Sequence, residues 1–221
     1  MLTLIIGNKN YSSWSLRPWL LLRHAGIDFE EILIPLYQGD YKQQLLRHSP
    51  SGKVPCLLDG HITVWDSLAI AEYLAEAVPA LKLWPQDVAQ RAEARAISAE
   101  MHAGFAALRS HFGMNLRYRH DTPVPAEVVP EIARIIEIWS SCLKRFGGQG
   151  PFLFGHFSIA DAMFAPVCCR FRSYGVALPA DCASYVEHML NLPAMIDWYS
   201  NAATETWIIE KLEPQGGAQP W

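Results

Sequence analysis

Up to residue 80 short apolar runs alternate with helical stretches, and beyond "PALKLWPQD" no strand pattern returns. This one-way change constrains the fold more than any other feature. Strands interleaved with helices must share one sheet, whereas a long strand-free remainder has to pack as a separate helical layer. The first half reads strand, helix, strand, helix, strand, strand, helix. "LTLII" is the first strand, and residues 12–25 are the first helix, with Pro18 in its early turns and Gly26 closing it. "FEEILIPL" is the second strand and "GDYKQQLLRH" a short helix. "VPCLLDGHITVWD" reads as a hairpin about Asp59-Gly60. Asp66 and Ser67 then offer caps to the helix "LAIAEYLAEAV". In the second half, 88–117 carries one long helical pattern. Further helices follow at 126–146, 158–174, 182–190 and 193–203, with "GGQGPFLFGHF" as a loop. The expected division is an α/β domain over 1–80, a linker at 81–88, an all-α domain over 89–212, and a frayed tail at 213–221.

Composition narrows what such a molecule does. The 221 residues are 51% apolar, enough for a sizeable core, and carry a formal net charge of −4 with both signs dispersed. A nucleic-acid surface would need a basic patch, so none is expected. The start "MLTLIIGNKN" has no basic lead and too short an apolar run for a signal peptide or a membrane span. Five cysteines without a C-x-x-C spacing read as free thiols in a reducing cytoplasm. The eight histidines form neither H-x-x-x-H nor H-E-x-x-H, so no metal is expected.

Three stretches carry candidate chemistry. "YSSWSLR" places Ser12, Ser13 and Ser15 where a strand turns into a helix. Unpaired amides and the positive dipole end gather there, and a serine hydroxyl either caps the helix or donates to an anion. "SPSGKVPCLLDG" sets Val54-Pro55 before a strand. A cis bond there would turn the Val54 main chain outward toward an extended peptide, whereas a trans proline would simply start the strand. "VWDSLAIAEYL" sets Asp66-Ser67 at another helix start, as caps or as a seat for a carboxylate.

Together these stretches, with "FGHFSIADAMFAPV" further on, resemble a cytosolic glutathione transferase over nearly all of residues 1–210. The last stretch is similar to that family's capping box and staple, with Ser158 as N-cap, Asp161 at N3 and Phe157 before them. The resemblance implies a thioredoxin-like domain followed by an all-helical one, with glutathione as co-substrate and a homodimer as the assembly. Within the family, "SSWSLR" resembles the zeta-like serine pattern, which puts Ser12 on the glutathione sulfur, with Ser13 as second candidate. By the same resemblance Val54, ahead of Pro55, pairs with the cysteinyl main chain. Lys53 meets the glycine carboxylate, and Asp66 and Ser67 meet the γ-glutamyl end.

A free thiol titrates near ~8.5, so a donor hydroxyl with a helix dipole would raise the thiolate fraction. Serine rather than cysteine at this place implies conjugation, isomerisation or peroxide reduction rather than mixed-disulfide chemistry. The expected electrophile site lies between the domains, with Met101, Phe105, Arg109 and Arg172 as candidates and Arg170 as a second cation. Zeta-like maleylacetoacetate isomerases carry an arginine on this later helix. The matching place here is Ser173, one residue past Arg172, which argues against that activity. Arg17 reads as either a substrate contact or a tie to a nearby carboxylate, and Cys56 as a small core residue.

Overall fold

The computed structural model describes residues 1–120, 122–213 and 218–220. The first domain is built on a four-stranded mixed sheet: β1 (Leu2–Ile6), β2 (Phe29–Leu33), β3 (Cys56–Asp59) and β4 (Ile62–Trp65), in the order β2-β1-β3-β4. β1 runs parallel to β2, with Ile5 beside Ile32, and antiparallel to β3, with Ile5 beside Cys56. Side chains alternate across a strand. Leu4 and Ile6 therefore join the main core with Leu57, while Ile5 and Cys56 join Ile34 and Leu45 in a small cluster of their own.

α1 (Ser13–His24) connects β1 to β2, and α2 (Tyr41–Leu46) precedes β3. The end of α1 is a double closure. Gly26, at φ +68°, donates to Arg23, and Ile27 donates to Leu22. α3 (Ser67–Ala77) completes the domain. The connection that follows is firmly packed. Leu83 and Trp84 are buried, the Trp84 indole donates to Glu72, and the Leu83 carbonyl accepts from Ile159.

The second domain contains α4 (Val88–Ala103), α5 (Ala106–His111), β5 (Tyr118–His120), α6 (Val129–Phe146), α7 (Ile159–Ser173), α8 (Ala180–Leu190) and α9 (Pro193–Thr204). α1 packs against α3 on its own side and against α7 and α9 across the domain boundary. Its residues from Ser15 to Leu22 are all buried, so it belongs to both cores.

Two expectations are corrected. The single helix expected over 88–117 is broken. A side chain at Gly104 would meet the Glu100 carbonyl at 2.8 Å, and Phe105 turns left-handed at φ +57°. The Ala107 and Leu108 amides at the new helix start donate to the Glu131 carboxylate of α6, so a distant residue caps the break. The tail expected to fray over 213–221 is in part ordered, because β6 (Ala218–Pro220) pairs antiparallel with β5. Residues 214–217 and 221 lie outside the described residues.

The start of α7 bears out its capping motif. Asp161 accepts from the Ser158 amide at 2.8 Å and its hydroxyl at 3.0 Å, from the Leu153 amide at 3.1 Å and from the Tyr185 hydroxyl at 3.2 Å. Burial pushes this carboxyl up to about 6, and the four donors pull the other way. Asp161→Asn turns an amide donor toward some of these groups and leaves buried donors unmet. It is expected to lower unfolding free energy by about 2–4 kcal/mol, as read by chemical denaturation.

Candidate functional site

The loop from Asn8 to Ser12 has few local partners, and the second domain supplies the rest. Glu205, just after α9, accepts from the Lys9 amide at 2.6 Å and the Asn10 amide at 3.1 Å. Asn10 and Asn115 bond side chain to side chain at 3.1 Å, and Asn10 also accepts from the Leu116 amide at 2.8 Å. Trp198 of α9 donates to the Lys9 carbonyl at 3.0 Å, and the Tyr11 hydroxyl donates to Glu213. Burial and the Glu213 bond push Tyr11 up to about 12.

This loop delivers Ser12 to the start of α1, where its hydroxyl oxygen accepts from the Ser15 amide at 3.3 Å. The Ser12 and Ser15 hydroxyls share one hydrogen across 2.7 Å. Ser15 is fully buried and already accepts from the Gly7 amide at 3.0 Å. If Ser15 gives the shared hydrogen, every group in the chain is satisfied and the Ser12 proton remains free to be donated. If Ser12 gives it, a hydroxyl proton is stranded in the core. The first arrangement is therefore the favoured one. Ser13 differs: its hydroxyl oxygen accepts from Arg170 of α7 at 3.1 Å.

Two adjoining cavities of about 500 and 460 Å³ share Trp14, Lys53 and Val54. The larger also has Pro55, Trp65, Asp66 and Ser67 on its wall, and the smaller has Tyr37, Tyr41 and Lys42. The Val54–Pro55 bond is cis. Among the described residues no backbone hydrogen bond outside helices and sheet engages the Val54 amide or carbonyl, which leaves both for an extended peptide. Asp66, at φ +80°, caps α3 by accepting from the Leu68 amide at 2.9 Å and the Ala69 amide at 3.2 Å. Its other oxygen meets His102 Nε2 of α4 at 3.1 Å. Burial lowers the His102 pKa, opposed by Asp66 and reinforced by Arg17 and Arg109.

Matches to known families accompany this geometry. The description "Glutathione S-transferase, N-terminal domain" fits residues 11–77, and "Glutathione S-transferase, C-terminal domain" fits residues 89–200. The chain belongs to the glutathione S-transferase family. A zeta-class glutathione S-transferase of Euphorbia esula is 28% identical over 159 residues, 70% of each chain. A probable maleylacetoacetate isomerase of Caenorhabditis elegans is 37% identical over 103 residues, 46% of this chain and 47% of its own length. Glutathione S-transferase 1 of Dianthus caryophyllus is 40% identical over 82 residues, 37% of each. The chain thus spans less than half the length of these last two relatives. Among solved structures, a glutathione transferase homologue from Burkholderia gl BGR1 with bound glutathione superposes with a TM-score of 0.70 at 25% identity, covering 92% of this chain and 99% of the other.

In this chain the sequence-read residues fall into groups. Lys53, Val54, Pro55, Asp66 and Ser67 line one cavity. Ser12 and Ser13 lie at the nearby start of α1, buried to 6% and 8% exposure. The four electrophile candidates do not share that cavity wall. Met101 and Phe105 are buried in the main core, and Arg172 pairs with Glu187 of α8 at 3.2 Å. Arg109 donates to the Met101 and His102 carbonyls, closing the end of α4, and its guanidinium lies 5.6 Å from the Trp14 ring centroid.

Trp14, His102 and Lys42 were missed from sequence. Trp14 stands inside the serine motif, and the available signal was a large aromatic in the first turn of a helix. His102 carried no local signal, because its role depends on a contact between domains. The cysteines are unpaired and buried, and burial raises the thiol pKa at Cys56. Among the described residues no group of three or more His, Cys, Asp or Glu stands together to hold a metal, and no helix is long and apolar enough to cross a membrane.

Glu205→Ala would leave the Lys9 and Asn10 amides without their acceptor. A loss of about 1–3 kcal/mol in unfolding free energy is expected, measured by denaturant melts.

Proposed function

We propose that this transferase holds the glutathione sulfur as a thiolate against the Ser12 hydroxyl and adds it to a small electrophile. The observation that carries this reading is the Ser12–Ser15–Gly7 hydrogen-bond chain at a helix start, in which donation by the buried Ser15 hydroxyl would leave the Ser12 proton unspent. Glutathione supplies the nucleophile. Ser12 lowers the thiol pKa by favouring its charged form, aided by the dipole of α1. A depression of two units needs about 2.7 kcal/mol, within reach of one charge-assisted hydrogen bond plus a dipole contribution. Ser13, held by Arg170, is the reserve donor. Lys53, now joined by Lys42, suits the glycine carboxylate. The Val54 main chain suits the cysteinyl unit, and Asp66 with Ser67 suits the γ-glutamyl end. For the electrophile we keep Arg109 and add Trp14, an indole that shares both cavity walls.

A second reading is isomerisation of an unsaturated dicarboxylic acid. It is favoured by the named isomerase relative and by the cations Arg17 and Arg109 beside Trp14. Turnover of an aryl halide against that of maleylacetoacetate separates the two. A protein whose melting temperature does not move with glutathione would instead be a non-catalytic binder on the same fold. We also propose a homodimer, for which Ile62 and Trp65 on the edge strand β4 offer exposed apolar surface, and a reducing cytoplasm, which suits five free thiols.

Ser12→Ala is expected to reduce kcat about a hundredfold and to raise the bound thiol pKa by about one to two units, with little change in glutathione affinity. Stopped-flow rates and thiolate absorbance against pH measure both. Unchanged kinetics would move the role to Ser13.

A further inference from the structure

Arg170 stands on the last turn of α7, is 4% exposed, and reaches the start of α1 from the second domain. Its Nε donates to the Phe112 carbonyl at 2.7 Å, and its Nη2 donates to the Ser13 hydroxyl oxygen at 3.1 Å. Both acceptors are uncharged. A neutral amide side chain could donate to either, so these bonds do not account for a buried charge. Burying a guanidinium is costly unless an anion meets it. Among the described residues no carboxylate forms a salt bridge with Arg170.

The groups around Arg170 leave its charge uncompensated. Burial pulls its pKa down to about 10, opposed by Cys169 and reinforced by Arg109. The guanidinium therefore stays charged at neutral pH. On its own helix, burial pushes the Cys169 thiol up to about 12, and Asp161 lies at the opposite end, engaged with the Ser158 cap. Just past the helix, burial raises Tyr174, so that phenol is neutral too. Arg17 of α1 and Arg109 of α5 are cations that repel it. From β5, His120 stacks on Tyr174 at 4.3 Å, and burial lowers the histidine pKa. On α4, His102 turns to Asp66. The buried face of α8 holds no carboxylate, and burial raises its Cys182 and Tyr185.

Ser13 is the first residue of α1 and 8% exposed. A hydroxyl that accepts from a cation turns its own proton away from that cation. A full positive charge thus stands behind the first turn of α1, where the helix dipole is also positive. With little water around it, that charge is weakly screened. We infer that Arg170 is a positioning residue for the sulfur: it fixes the Ser13 hydroxyl and sets a desolvated cation behind the first turn of α1, which favours the thiolate of bound glutathione beyond what Ser12 and the helix provide. The inference rests on the glutathione reading above and adds to it a residue of the second domain. The anion that the protein itself does not supply to Arg170 is then the sulfur of the ligand.

The test compares the native protein with Arg170→Gln, which keeps an amide donor and removes the charge. The absorbance of the bound thiolate is titrated against pH, and kcat/KM for an aryl halide is measured at saturating glutathione over the same range. Arg170→Gln is expected to raise the bound thiol pKa by about one unit. At a pH below the native value this lowers kcat/KM about tenfold, whereas above both values the two proteins agree within about threefold. Affinity for S-methylglutathione, which has no thiol to ionise, should change by less than about threefold in calorimetric titration. A purely structural role would weaken S-methylglutathione and lower kcat/KM by the same factor at every pH, and that result overturns the inference. So does a variant whose bound thiol keeps the native pKa. Should Arg170→Gln fail to fold, Arg170→Lys carries the comparison in the opposite sense. It retains the charge and is expected to hold the thiol pKa within about half a unit, and a rise of about one unit overturns the inference. A native protein that does not bind S-methylglutathione refutes the glutathione reading itself, which is a separate failure.

Discussion

The buried loop from Asn8 to Ser12 is the constraint on which the site depends. The Lys9 and Asn10 amides, the Lys9 carbonyl and the Asn10 side chain are satisfied by Glu205, Trp198, Asn115 and Leu116 of the second domain, while the Tyr11 and Ser12 amides donate to the Asn8 carbonyl within the loop. A loop inside a protein must pair its backbone groups somewhere. This one does so only in part within its own domain, so contacts from the second domain hold the start of α1 in its observed position. The same dependence explains why α1 is buried on nearly every side.

Charge at the domain boundary follows from that arrangement. Arg170 is 4% exposed and bonds to the Phe112 carbonyl at 2.7 Å and to Ser13 at 3.1 Å. Burial and the neighbouring Arg109 pull it down to about 10. Arg17 and Arg109 flank Trp14. Three guanidinium groups thus surround the first turn of a helix whose dipole is also positive there. Positive charge is thus concentrated at this end of the site, with Asp66 the acid that acts on Arg17. Keeping Arg17 and Arg170 buried carries a desolvation cost.

Much of the architecture was legible because it is written in local chemistry. Asp59-Gly60 gave the hairpin, Gly26 the end of α1, Asp66 the start of α3, and Ser158 with Asp161 the start of α7. Each works through atoms within a few residues of itself. The break between α4 and α5 was not legible. Its apolar spacing suits one long helix, and the amides freed at Ala107 and Leu108 are met by Glu131, some 23 or 24 residues away. Met101 and Phe105 lie in the main core, the default reading for apolar residues at helical spacing, since that spacing identifies a buried face without saying whether core or ligand covers it.

The sequence by itself determined the order of elements, the change from mixed sheet to helices, and which helix starts carry serine or aspartate. These depend on backbone geometry and short-range hydrogen bonds, which residue type controls directly. Only the tertiary structure decided that the Ser12 and Ser15 hydroxyls meet while the Ser13 hydroxyl accepts from Arg170, that His102 reaches Asp66, and that Arg17 lies buried beside Ser67 with no carboxylate salt bridge among the described residues. Those outcomes turn on which groups from distant elements arrive at the same few ångströms, and on how much water is left there to compete.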